Sequence, residues 1–207
     1  MNLPLLNQFN ISYNNISVIN ITPPLDCSFS AVQNSFNVLP GAFISTSRLA
    51  SVNLNNNNLR IDIAEFFNCI QIVIPFVSYL DISSNRFFGS AVDEVFTTKN
   101  LHYSSGFVLN SEKTLMALNF LNASSNQISG TISPMWAVFP LPLFLDLSSN
   151  HLSGTIPATL FDSTIVQLYL ENNNQLVGAI DIKFGDADSI DYLGIQHLSA
   201  SNISNSV

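Results

Sequence analysis

Three acidic side chains stand in short alternating stretches: Asp81 in YLD, Asp146 in FLDL and Glu171 in LYLE. Two carboxylates flanking one glycosidic bond would make a hydrolase, provided they lie about 5–9.5 Å apart. None of the histidines His102, His151 and His197 has a zinc-ligand spacing with Cys or another His. Ser149, His151 and Asp146 are the residue types of a nucleophilic triad, but Ser-rich segments supply many such sets, and His151 reads as an exposed loop residue between Asn150 and Leu152. Asp181, Asp186, Asp188 and Asp191 lack the spacing and the Gly of a calcium loop and read as a solvated connection. There is no Gly-rich phosphate loop and no nucleophile elbow. Cys27 and Cys69 are far apart and read as small buried hydrophobes. The expectation is therefore a protein with no catalytic centre, no cofactor and no metal.

The acidic residues are carried by elements that repeat. LFLDLSSNHLSGTIP, residues 143–157, alternates Leu145 and Leu147 around Asp146, then reaches Asn150, Leu152, Gly154, Ile156 and Pro157. Alternation marks a half-buried strand, and Gly and Pro end it. Other segments superpose on this one, Asn on Asn: Asn14, Asn57, Asn85, Asn126 and Asn173, with weaker copies at Asn34, at Gly106 in LHYSSGFV and from Leu198 through Asn202. A period of about 20 to 28 residues and roughly nine imperfect units exclude helical arrays and propeller blades. No single coil can bury its leucines alone, so coils must stack into one continuous core. An inward Asn has two donors and an acceptor with which to satisfy backbone groups of its own and the adjacent coil.

The pattern LxxLxLxxNxLxGxIP resembles the plant-type leucine-rich repeat over most of the chain, most closely at Asn85, Asn126, Asn150 and Asn173. The resemblance implies an α/β-type repeat solenoid, a curved leucine-rich-repeat horseshoe with short parallel strands on its concave side and irregular or 3₁₀ segments on its convex side. It also implies a single domain over residues 1–207. The cysteine pairs that often mark the caps of secreted members are absent, and neither end shows a polar cap, so the chain is expected to be a fragment of a longer protein.

Apolar residues make up 47% of the chain and charged residues only 10%, with Asn and Ser taking over the polar surface. The net charge of −8 excludes a phosphate-neutralising patch for nucleic acid and disfavours an anionic membrane surface. The longest apolar run, Cys69 to Leu80, is too short to span a bilayer, and the N-terminus has no signal-peptide pattern. Sequons at Asn10, Asn15, Asn20, Asn122 and Asn202 arise by chance in so Asn- and Ser-rich a chain.

In an xLxLx strand the x residues face away from the core. One row across the coils reads Ser51, Tyr79, Asn100, Phe120, Phe144, Gln167; the next reads Asn53, Asp81, His102, Asn122, Asp146, Tyr169; the third ends at Glu171. With a coil at His102, Asp81 and Asp146 would stand roughly 14 Å apart, too far for a glycosidase pair. The expected function is a non-catalytic, receptor-like binding module, extracellular or at the cell surface. It would hold a protein, peptide or glycan at Tyr79, Asp81, Phe120, Asn122, Phe144, Asp146, Tyr169 and Glu171. Polysaccharide-active parallel β-helices and intracellular scaffolds are the alternatives.

Overall fold

The computed structural model describes residues 8–17, 28–36, 50–67, 77–90, 118–138, 143–178 and 192–194. The described repeats stack coil on coil, with two parallel sheets. The first sheet takes the xLx tripeptides: β1 (Gln8–Asn10), β2 (Ser28–Ser30), β3 (Ser51–Asn53), β4 (Tyr79–Asp81), β6 (Phe120–Asn122), β8 (Leu143–Asp146), β10 (Ile165–Tyr169) and β12 (Tyr192–Gly194). Their order in space is that order in sequence, and every neighbouring pair is parallel. The central residues Val52, Leu80, Leu121, Leu145 and Leu168 are fully buried.

A second sheet of four strands, β5 (Phe88–Ser90), β7 (Gln127–Thr131), β9 (His151–Thr155) and β11 (Gln175–Val177), follows the Asn of each coil. The sequence reading did not anticipate it, because ISGT and LSGT look like breakers. In the fold Gly89, Gly130, Gly154 and Gly178 all have positive φ. A Cβ on Gly154 would lie 2.9 Å from Thr131 Cγ2, and one on Gly178 3.1 Å from Thr155 Cγ2. The residue that follows each Gly thus covers the Gly of the next coil. Ser129 and Ser153 reinforce the junction by donating from Oγ to the Gly89 and Gly130 carbonyls at 3.0 and 3.2 Å. Beyond this sheet come 3₁₀ turns at Pro134–Val138 and Ala158–Asp162, and a helical turn over 63–67. Asp62 caps that turn, its Oδ1 accepting from Ala64 N at 2.9 Å. Phe66 packs edge-on to Phe87 at 4.8 Å, and Phe67 meets Trp136 at 6.1 Å, filling the broad side of the coils.

The interior Asn residues tie the coils together by one scheme. Asn150 Nδ2 donates to the carbonyls of Leu147, Ser148 and, in the preceding coil, Ala123, at 3.0–3.1 Å. Its Oδ1 accepts from Ile128 N of that preceding coil at 3.0 Å. Asn126, Asn85 and Asn57 repeat the four bonds. So does Asn34, whose coil looks degenerate in sequence. Asn173, fully buried, reaches Leu147 O and receives Leu152 N. Asn14 bonds Ile11 and Ser12 of its own coil.

One repeat assignment differs in the fold. Strand β4 pairs directly with β6, Tyr79 opposite Phe120 and Asp81 opposite Asn122, so no rung at His102 stands between them. The supposed coil around Asn100, His102 and Gly106 lies outside the described residues. The last strand ends at Gly194. The copy expected from Leu198 through Asn202 lies outside the described residues.

Candidate functional site

The outward residues of the first sheet form the face to be considered. Each strand must turn inward to deliver its Asn, and the sequence does this in three steps. The last strand residue, Asn53, Asp81, Asn122 or Asp146, accepts from the N–H two residues on, at 2.9–3.1 Å. This is the Asx turn that short polar side chains favour. Next comes a residue in the left-handed region: Asn56, Ser84, Ser125 and Ser149 have φ of 52–54°. The ladder Asn follows it.

The candidate residues divide accordingly. Tyr79, Phe120 and Phe144 are half-buried and stack face to face on successive strands, with centroids 4.3 and 4.4 Å apart and planes within 9°. Tyr169 extends the row at 5.2 Å from Phe144, tilted by 41°. Its hydroxyl donates to Gln167 Oε1 at 3.4 Å, a partner absent from the expected site although its register opposite Phe144 puts it in the ring row. Rings on a 4.7–4.9 Å strand spacing meet in this way because side chains stand perpendicular to the sheet. Burial, and secondarily the charge of Asp81, raise the Tyr79 phenol above its ordinary value.

The polar candidates are less free than their sequence positions imply. Asp81 is only 5% exposed. Its Oδ1 accepts from Ser83 N and Oγ at 3.0 and 2.7 Å, and its Oδ2 from Asn55 Nδ2 at 2.9 Å. Asn122 Oδ1 is held by Ser124 N and Oγ at 3.0 and 2.7 Å. Asp146 is engaged at Oδ1 alone, by Ser148 N. Glu171 follows Tyr169 rather than an Asx residue, and its Oε2 is shielded from water with no hydrogen-bond partner. Removing the rung at His102 also brings Asp81 and Asp146 to two strand spacings, about 10 Å, instead of three. Among the described residues no group of three or more His, Cys, Asp and Glu could hold a metal ion, and no helix is long and apolar enough to cross a membrane.

Residues 143–162 match the family model described as Leucine Rich Repeat. No curated protein matches the sequence significantly. Among solved structures, the fold is similar to that of the plant peptide hormone receptor RGFR1 in complex with RGF2, at 23% identity and a TM-score of 0.65 over 94% of this chain and 28% of that one. It is similar to a plant ice-binding protein at 19% identity and a TM-score of 0.58, over 88% of this chain and 49% of that one. It is also similar to the Arabidopsis receptor kinase HAESA in complex with the peptide hormone IDA and the co-receptor SERK1, at 25% identity and a TM-score of 0.57, over 93% of this chain and 33% of that one. The chain thus spans between about a quarter and a half of the length of these structures. The repeat is matched in its template coil, and the coil-on-coil architecture is shared over nearly all of the sequence. On these grounds residues 143–162 are a leucine-rich repeat, and the described coils form a leucine-rich-repeat solenoid similar in fold to these plant proteins.

Proposed function

We propose that the chain is a non-catalytic recognition module that holds a protein, peptide or glycan across the outward face of its first sheet. The observation that carries this is the continuous, half-exposed ring row from Tyr79 through Phe120 and Phe144 to Tyr169. Aromatic rings on a rigid wall lose little entropy on binding and anchor peptides or stack on sugar rings. A peptide is the favoured class, since two of the similar structures are receptors in complex with peptide hormones. The alternative of a carboxylate pair acting on a glycoside is opposed by Asp81, whose two oxygens already accept three hydrogen bonds. An extracellular or cell-surface setting belongs to the same proposal and has the same support.

The test is a binding screen followed by substitution. Phe144→Ala or Tyr169→Ala should weaken a ligand found by screening at least about tenfold, some 1.4 kcal/mol. Phe88→Ala, an exposed ring on the second sheet, should leave it unchanged. If both concave variants fold and bind normally while Phe88→Ala abolishes binding, the ligand lies elsewhere.

A further inference from the structure

We infer that the Phe144–Tyr169–Glu171 end of the ring row receives the cationic side chain of an extended peptide, arginine in preference to lysine; this rests on the concave-face reading above. The acidic residues of this face differ in how far their charge is already answered. Asp81 accepts three hydrogen bonds from Ser83 and Asn55. Asp146, two strands on, accepts one. Glu171, in the turn two residues past the next strand, holds Oε2 out of water with no donor. The cause is local: Tyr169 stands where the coils of β3, β4, β6 and β8 place Asp or Asn, so no Asx turn forms, and Glu171 stands where those coils place Ser or Asn.

A shielded carboxylate oxygen without a donor is costly, and the folded chain keeps this one. A guanidinium would supply both the donor and the counter-charge, with two parallel bonds to one carboxylate where the geometry allows. The ring faces beside it add attraction for a cation. The described cations do not compete. Arg60 lies over the Phe88 ring, 5.8 Å from its centroid, on the second-sheet side. Arg86 is exposed, between Asn85 and the second sheet. The chain carries 14 acidic against 6 basic residues, so its field favours the approach of a cationic partner.

The probes are short capped peptides that place tyrosine or phenylalanine beside an arginine, each paired with a twin in which neutral citrulline replaces the arginine. Binding is measured by fluorescence anisotropy at low and high salt. The arginine peptides should bind about tenfold more tightly than their twins, with a preference that shrinks as salt rises and vanishes in Glu171→Gln. Twins that bind alike, yet lose binding on Phe144→Ala, overturn the cation site and leave the concave site standing. Binding that survives Phe144→Ala overturns both, and a preference untouched by Glu171→Gln overturns the assignment to Glu171. Without peptide, Glu171→Gln should raise the urea midpoint, because an unanswered charge is removed. A lowered midpoint means that Glu171 is already paired within the protein, and the inference fails.

Discussion

Asn150 serves four backbone groups at once, three carbonyls and the Ile128 N–H, and two of these belong to the preceding coil. Its replacement by Ala leaves the buried Ile128 N–H without its acceptor and takes one donor from each carbonyl, while Asn126, Asn173 and Ser125 still donate to Ala123 O, Leu147 O and Ser148 O. Asn150→Ala should therefore cost about 1–3 kcal/mol. Asn14→Ala, at an exposed residue that bonds its own coil, should cost less than about 1 kcal/mol. Equal losses in urea melts would refute the scheme. Tyr79 makes a second prediction at this scale. Its phenol is raised by burial first and by Asp81 second. Because the folded value exceeds the unfolded one, the associated stability is complete below the ordinary phenol pKa of about 10 and is lost as pH rises through the folded value. Ultraviolet difference titration, assigned by subtraction of Tyr79→Phe, should show this ring ionising late. Asp81→Asn should bring it only part of the way back, since burial remains; complete reversion would mean that charge, not burial, dominates.

At the scale of elements, the second sheet depends on a small residue under a branched one. Gly154 has φ of +78°, and a Cβ there would meet Thr131 Cγ2 at 2.9 Å. Two costs combine, a left-handed backbone and a steric overlap across coils. Gly154→Ala should destabilise by about 1–3 kcal/mol. Thr131→Ser removes the offending methyl and should recover part of that loss in the double variant, but not the backbone part. A double-mutant cycle reads the coupling directly. Strict additivity would show that the methyl does not press on Gly154. The first sheet has the opposite character, with aromatic rings stacking at strand spacing. One sheet thus closes the coils tightly while the other presents side chains outward.

For the whole molecule, the Asn bonds run only between adjacent coils, so stability should behave as a sum of units and nearest-neighbour interfaces. Asn150 reaches Ala123 O, which Asn126 also bonds. Asn126→Ala and Asn150→Ala should therefore fail to add, by roughly 0.5 kcal/mol or more. Asn57→Ala and Asn150→Ala share no partner and should add within about 0.5 kcal/mol. Coupling of the distant pair as strong as that of the near pair would show that the array melts as one block. The net charge of −8 acts at this scale too, as a salt-sensitive attraction for basic partners.

The repeat register, the parallel outward rows and the inward Asn were legible in the residues themselves, because alternation and the spacing from Leu147 to Asn150 are local facts of strand and turn. Gly and Thr were legible only as punctuation. That they form a second sheet depends on one coil lying against another, as Thr131 lies on Gly154. The same holds for the rung expected at His102: LHYSSGFV satisfies the pattern, yet Tyr79 pairs with Phe120, and only the stacking of coils decides which strands are neighbours. The candidate site followed this division. Alternation alone put Tyr79, Phe120 and Phe144 in one row, while the answered charge of Asp81 and the unanswered Oε2 of Glu171 emerged from the fold, because a hydrogen-bond partner twenty-six residues away in Asn55 is adjacent only after the coils have stacked.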